Sequence, residues 1–214
     1  TAMSGTSGVQ NQSLGTNLTT GSISDWTHVA VTLKNSGSHI DSNIYINGDL
    51  NKRESLSNAA LGQVTGSLIS FIGALQTAPS GSPTIQTGAG KFSGSLDEFR
   101  YWKTERSSKD IGRYYWTNIG AGTNTDEANT DLGVYYKFNE GITTVTTTDS
   151  TVLDYSGRMS NGAWTGYQEG ARSTDSAIVL SKAAPKEFKD PTIYSTHPDY
   201  ILTLRELEAS GSRH

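Results

Sequence analysis

A chain of 214 residues can bury one sizeable core or two small ones without help from disulfides. It has no cysteine, which removes disulfide frameworks, thiolate zinc sites and cysteine nucleophiles together. With 17 Lys and Arg against 21 Asp and Glu the net charge is -4 and no stretch concentrates positive charge, so a nucleic-acid partner is not expected.

No apolar run approaches the roughly 18 residues of a membrane span, so membrane insertion is not expected. The start, Thr1-Ala2-Met3-Ser4-Gly5, lacks the basic and apolar regions of a signal peptide. Among abundant Ser and Thr, 23 Gly and 10 Tyr suit short strands joined by many turns, so the expected class is all-β.

Residues 1–22 are almost wholly Ser, Thr, Gly, Asn and Gln and read as a polar leader with room for one edge strand. From Ile23 to Leu33 the chain alternates Val29, Val31 and Leu33 with His28, Ala30 and Thr32, the period of two of a strand, closed by a turn at Asn35-Ser36-Gly37-Ser38. His28 reads as a packed residue beside Trp26. Ser42 to Leu50 reads as a second strand, antiparallel to the first, with Ile44 and Ile46 inward and Asn47-Gly48 as a hairpin signal. Leu68 to Gly73 suits a buried strand, and residues 76–90, with Pro79 and Pro83, suit an exposed loop.

Lys91 to Trp102 reads as a strand with aromatic rings at 99, 101 and 102. A short helix follows within Thr104 to Tyr115, capped by Ser107 or Ser108, with Ile111, Tyr114 and Tyr115 at helical spacing. After a polar connector at 117–131, Val134 to Phe138 resumes as a strand, and Thr143 to Thr148 suits an edge strand or a loop flank. Turn chemistry fills Asp149 to Gly162, with Trp164 and Tyr167 beyond it. Past Gly170, Pro185, Pro191 and Pro198 interrupt every element, so 169–214 reads as an irregular extension suited to docking. Its last four residues, Gly211-Ser212-Arg213-His214, resemble a tag linker.

Three segments resemble the laminin G-like, or concanavalin A-like, jelly-roll superfamily: Trp26 to Thr32, Asn43 to Gly48, and Phe92 to Trp102 with its trailing Asp110-Ile111 helix. A second resemblance runs out of the usual order. Leu132 to Gly141, followed by Asp154-Tyr155-Ser156-Gly157-Arg158 and Asn161-Gly162, looks like the opening of such a domain. The resemblance implies a two-sheet antiparallel jelly-roll sandwich over residues 23–168, with 23–116 as its back half and 132–168 as its front half. Either the two halves complete one permuted sandwich, or the chain is cut from a tandem array. The Ser, Thr and Gly-rich style also resembles processed pieces of phage or virion surface proteins.

Catalytic chemistry finds little support in these residues. Paired carboxylates for glycan hydrolysis must flank one bond about 5 Å apart for retention. Asp97 and Glu98 are adjacent, so in a regular strand they point to opposite faces, and Glu98 reads as a surface charge. His28, His39, His197 and His214 form no zinc motif, and no nucleophile elbow, phosphate loop or dinucleotide fingerprint occurs. The resemblance implies a structural calcium held by Asp97 together with main-chain oxygens, and the sequence offers Asp154, Asp149 and Asn161 in loops as additional donors. A sugar platform would draw on Trp164, Tyr167 and Asn161, because a pyranose stacks on an aromatic ring while amides bind its hydroxyls.

The function expected from this resemblance is a non-enzymatic recognition module, binding glycan or serving adhesion on an extracellular or virion surface and acting as an oligomer or array. The rival reading is a purely structural decoration module that binds protein rather than sugar.

Overall fold

The computed structural model describes residues 2–4, 7–9, 15–19, 25–57, 70–73, 75–77, 86–89, 92–117 and 130–165, with single positions at 21, 23, 61 and 119. Every sheet pairing among them is antiparallel, and helix is limited to short pieces, so the class is all-β. Tyr167 and the extension at 169–214 lie outside the described residues.

Strands β1 (Ala2–Ser4) and β2 (Ser7–Val9) form a hairpin inside the segment read as a polar leader. The largest sheet has the order β3-β4-β5, built from β3 (Val29–Ser36), β4 (His39–Ile46) and β5 (Asp49–Ser57). Alternation places Val31 opposite Ile44 and Val29 opposite Ile46 on one face, and Thr32 opposite Asn43 and Ala30 opposite Tyr45 on the other. As the central strand, β4 is covered on both sides, which is why Ser42, Asn43, Ile44 and Tyr45 are all buried in succession. Ile40 and Leu56 pair across β4 and β5 and anchor one apolar cluster, with Leu61 against them.

Asn47-Gly48 makes the turn from β4 to β5, with both residues at positive φ (50° and 86°), the backbone of a type I′ hairpin. A Cβ at Gly48 would lie 2.7 Å from the Tyr115 ring and 3.0 Å from the Gly112 Cα. Gly48→Ala is therefore expected to cost about 2 kcal/mol, from left-handed strain and overpacking together. Chemical denaturation would read this as a lower midpoint with an unchanged slope.

Strand β5 has no counterpart in the sequence reading, because Asp49, Lys52, Arg53 and Glu54 mask the alternation. Charges of this kind suit a strand at a sheet edge, where they oppose pairing with another chain. A bulge at Ile44/Tyr45 leaves Asn51 outside the ladder. Its side-chain amide brackets the Thr16 backbone, accepting from the N–H at 2.7 Å and donating to the carbonyl at 3.1 Å, and so fastens the early segment to the sheet.

The run read as a strand at Leu68 to Gly73 departs from expectation over its described part. Residues 70–73 form no strand, Phe71 and Ile72 are exposed, and Gly73 turns the chain at φ 76° while its carbonyl accepts from the Phe92 N–H. The loop expected at 76–90 instead contributes to a strand pair, β6 (Leu75–Thr77) with β7 (Gln86–Ala89).

Beyond it, β8 (Phe99–Trp102) is shorter than expected, because Glu98 at φ 53° ends the extended backbone. Helix α1 (Ser108–Tyr114) is capped by Ser107, whose Oγ accepts from the Asp110 N–H, and it buries Ile111. β8 pairs with β9 (Leu132–Tyr136), so the two segments that resemble the back and front of one domain are hydrogen-bonded to each other. Leu132 and Tyr135 form the second core cluster, with Trp102 and Ile119 packed on it. The threonine run expected as an edge strand or a loop flank instead winds, from Thr146, into α2 (Thr146–Asp149). Buried Asp149 overrides the β-branched preference by accepting from both the N–H and the hydroxyl of Thr143. Strands β10 (Thr151–Val152) and β11 (Gly162–Ala163) close the described chain as a short pair.

Candidate functional site

Glu98 is not the surface charge that its sequence position indicates. Its side chain is 10% exposed and pairs with Arg100, 11% exposed, at 3.1 Å, because the left-handed backbone at Glu98 breaks the strand alternation. The Tyr135 hydroxyl donates to the same Glu98 oxygen. Burial, reinforced by Glu98, pushes the Tyr135 phenol well above its ordinary range, so it stays protonated as that donor. Arg100 also donates to the Tyr114 and Thr117 carbonyls, at 3.4 and 2.6 Å, capping the end of α1. One guanidinium thus joins β8, β9 and α1. Beside it, the His28 ring packs 5.2 Å from Tyr115. This cluster is closed and holds the framework together.

An accessible site begins at the next residue of β9, Tyr136. Phe99, Tyr136, Phe138 and Trp164 form a run of rings with successive centroid separations of 6.0, 5.9 and 5.7 Å. Trp164, the last ring, is 38% exposed. Its position is set by its own N–H, which donates to the Ser150 carbonyl at 2.8 Å, and by the β10–β11 pairing just before it. Phe138 sits at φ 53°, off the strand end, where a bulky side chain is strained; it is the ring that links Trp164 to Tyr136.

The loop under this rim is clamped by Asp154. Its Oδ1 accepts from the N–H groups of Tyr135 and Ser156, and its Oδ2 from the Ser160 N–H and the Ser156 hydroxyl, at 2.8–2.9 Å. Burial alone would raise the Asp154 pKa, but these donors hold it below the usual carboxylate value. Asn161 Oδ1 accepts from the Asp154 N–H at 2.9 Å, and the Tyr136 hydroxyl donates to the Ser160 carbonyl at 2.6 Å. Of the expected platform residues, Trp164 and Asn161 therefore lie on one loop end.

This arrangement does not fit the expected calcium. Asp154 already accepts two hydrogen bonds on each oxygen, and a cation would have to displace all the donors on the oxygen it approached. Asp97, half-buried in the chain leading to β8, already has an interaction of its own, and Asp149 is turned to Thr143. Among the described residues no three His, Asp or Glu side chains gather in a way that could hold a metal.

A concavity of about 340 Å³ lies elsewhere, between the Tyr45 face of the large sheet and the start of α1. Asn43, Tyr45 and Arg53 line it from the sheet, and Glu105, Arg106, Ser107 and Ser108 from the other side. It carries one carboxylate, Glu105, rather than the pair that glycan hydrolysis requires. No sequence signal marked it, since its two walls meet only through a contact such as Tyr45 Oη to Ser108 Oγ at 2.9 Å, 63 residues apart.

A family model described as the concanavalin A-like lectin/glucanases superfamily matches residues 2–112. The chain belongs to this superfamily. Domains of the superfamily commonly act as binding modules. Neither the curated proteins nor the solved structures provide a match. The matched segment contains the large sheet, the concavity and the Glu98–Arg100 pair, while Tyr135 and the Trp164 rim follow it. Among the described residues no helix is long and apolar enough to cross a membrane.

Proposed function

We propose that the chain is a non-enzymatic recognition module that holds a glycan at the Trp164 rim, on the surface of a cell or virion. The observation that carries this reading is the run of rings ending in half-exposed Trp164, three residues from the Asn161 amide. A pyranose lays its C–H face on such a ring, while an amide serves its hydroxyls. Because Asp154 holds the loop, little ordering entropy opposes binding. Each site is weak, and repetition in an oligomer or array supplies avidity.

On a glycan array, Trp164→Ala is expected to lower the signal by about tenfold, the loss of one stacking platform, while the chain stays folded. An unchanged signal, or no signal from the unmodified chain, overturns the assignment. The rival reading, docking on protein, draws on Val29, Val31 and Leu33, which lie along one face of β3 at 52%, 47% and 42% exposure. That reading predicts partner binding indifferent to Trp164.

A further inference from the structure

We propose that the concavity between the large sheet and α1 is a second ligand site, separate from the Trp164 rim, and that it takes a carboxylate-bearing sugar. Its centre is Arg53. The Arg53 Nε donates to Asn43 Oδ1 at 3.0 Å, and the Asn43 Nδ2 donates to Thr32 Oγ1 at 3.0 Å. Asn43 and Thr32 are 8% and 7% exposed, so the bracket that aligns the guanidinium is itself buried. With Nε held, the two Nη groups of Arg53 carry no hydrogen bond or ion pair with the described residues, and they offer the paired donors that match a carboxylate. A side chain pre-aligned in this way loses little entropy on binding.

The opposite wall supplies Arg106, whose guanidinium rests 4.3 Å above the Trp102 ring, and Glu105. Glu105 pairs at 3.7 Å with Lys34, so the Arg53 guanidinium leaves the cleft positive in character. The Glu105 charge still disfavours a dianion such as phosphate more than a single carboxylate. Ser107 Oγ donates to Asp110 and accepts from the Asp110 N–H, which leaves it one lone pair. Tyr45 and Ser108 share a single hydrogen bond, so one of their two hydroxyl protons remains for a ligand. Carboxylate, hydroxyl and guanidinium groups around a small polar cleft suit a ring that carries both an acid and several hydroxyls. A peptide carboxylate would meet no apolar floor, since Tyr45 is 2% exposed.

The test is a titration of the ¹⁵N-labelled chain followed by NMR, with glucuronate as the probe. Saturable shifts at the Arg53 side-chain Nε–H and at the Ser107 and Ser108 amides are expected in the millimolar range. Arg53→Gln, and independently Arg106→Gln, should weaken binding by about tenfold. Arg53→Lys should weaken it as well, because it keeps the charge and loses the fork. Arg113→Gln removes the same charge at the far end of α1 and should change nothing. Methyl glucoside, an acetylated tripeptide carrying one glutamate, and inorganic phosphate are the comparison ligands. The proposal fails if glucuronate gives no saturable shift, if any comparison ligand binds as tightly, or if Arg53→Gln binds glucuronate like the parent chain.

Discussion

Replacing Arg100 with alanine is expected to remove about 3–5 kcal/mol of stability, the cost of leaving a buried charge without its partner. The Glu98 carboxylate would then face Tyr135 alone, and the Tyr114 and Thr117 carbonyls would lose their shared donor. Urea unfolding followed by tryptophan fluorescence measures the loss. A double variant, Glu98→Leu with Arg100→Met, should recover part of it, because no uncompensated charge remains. A single variant within about 1 kcal/mol of the parent, the size of a surface pair, would show that the cluster does not tie β8, β9 and α1 together.

Acidification should weaken the fold through His28. Burial, with the Arg100 charge adding to it, lowers the His28 pKa to about 4. Its Nδ1 is buried without a hydrogen-bond partner, so protonation would place an unpaired cation in the interior. Between about pH 6.5 and pH 4 the unfolded chain binds a proton at this residue that the folded chain does not. Stability from His28 is therefore complete above pH 6.5 and falls as pH drops toward 4, by about 3 kcal/mol in all. Asp154 and Asp41, whose folded pKa values are also lowered, contribute in the same direction at lower pH. His28→Phe isolates the histidine: the gap between parent and variant should change by about that amount between pH 7 and pH 4. Parallel losses in the two proteins, or an NMR titration of His28 near its ordinary value, would contradict this account.

The candidate site was legible in part. Trp164 and Asn161 are joined by a few residues of turn-rich chain, so local composition alone places them near each other. The rings that support Trp164 were not marked, because Phe138 leaves its strand at a positive φ that no periodicity announces. Asp154 showed its turn character in the sequence, yet its saturation by four donors, which turns it away from calcium, depends on Tyr135 from another strand. The concavity was invisible for the same reason, since Arg53 and Arg106 lie on separate elements.

Short-range patterns were sufficient for much of the architecture. Alternation at Val29 to Leu33, the Asn47-Gly48 turn and the Ser107 cap act within a few residues, so local patterns suffice for the β3–β4 ladder, the hairpin and α1. Long-range packing sets what depends on burial. It made a strand of the charged segment at Asp49 to Ser57, wound threonines into α2 around buried Asp149, and drew Glu98 inside. A charge or an amide changes role when a distant element removes water from it and supplies a partner, and such partners are set by the packing of the whole chain rather than by neighbours in sequence.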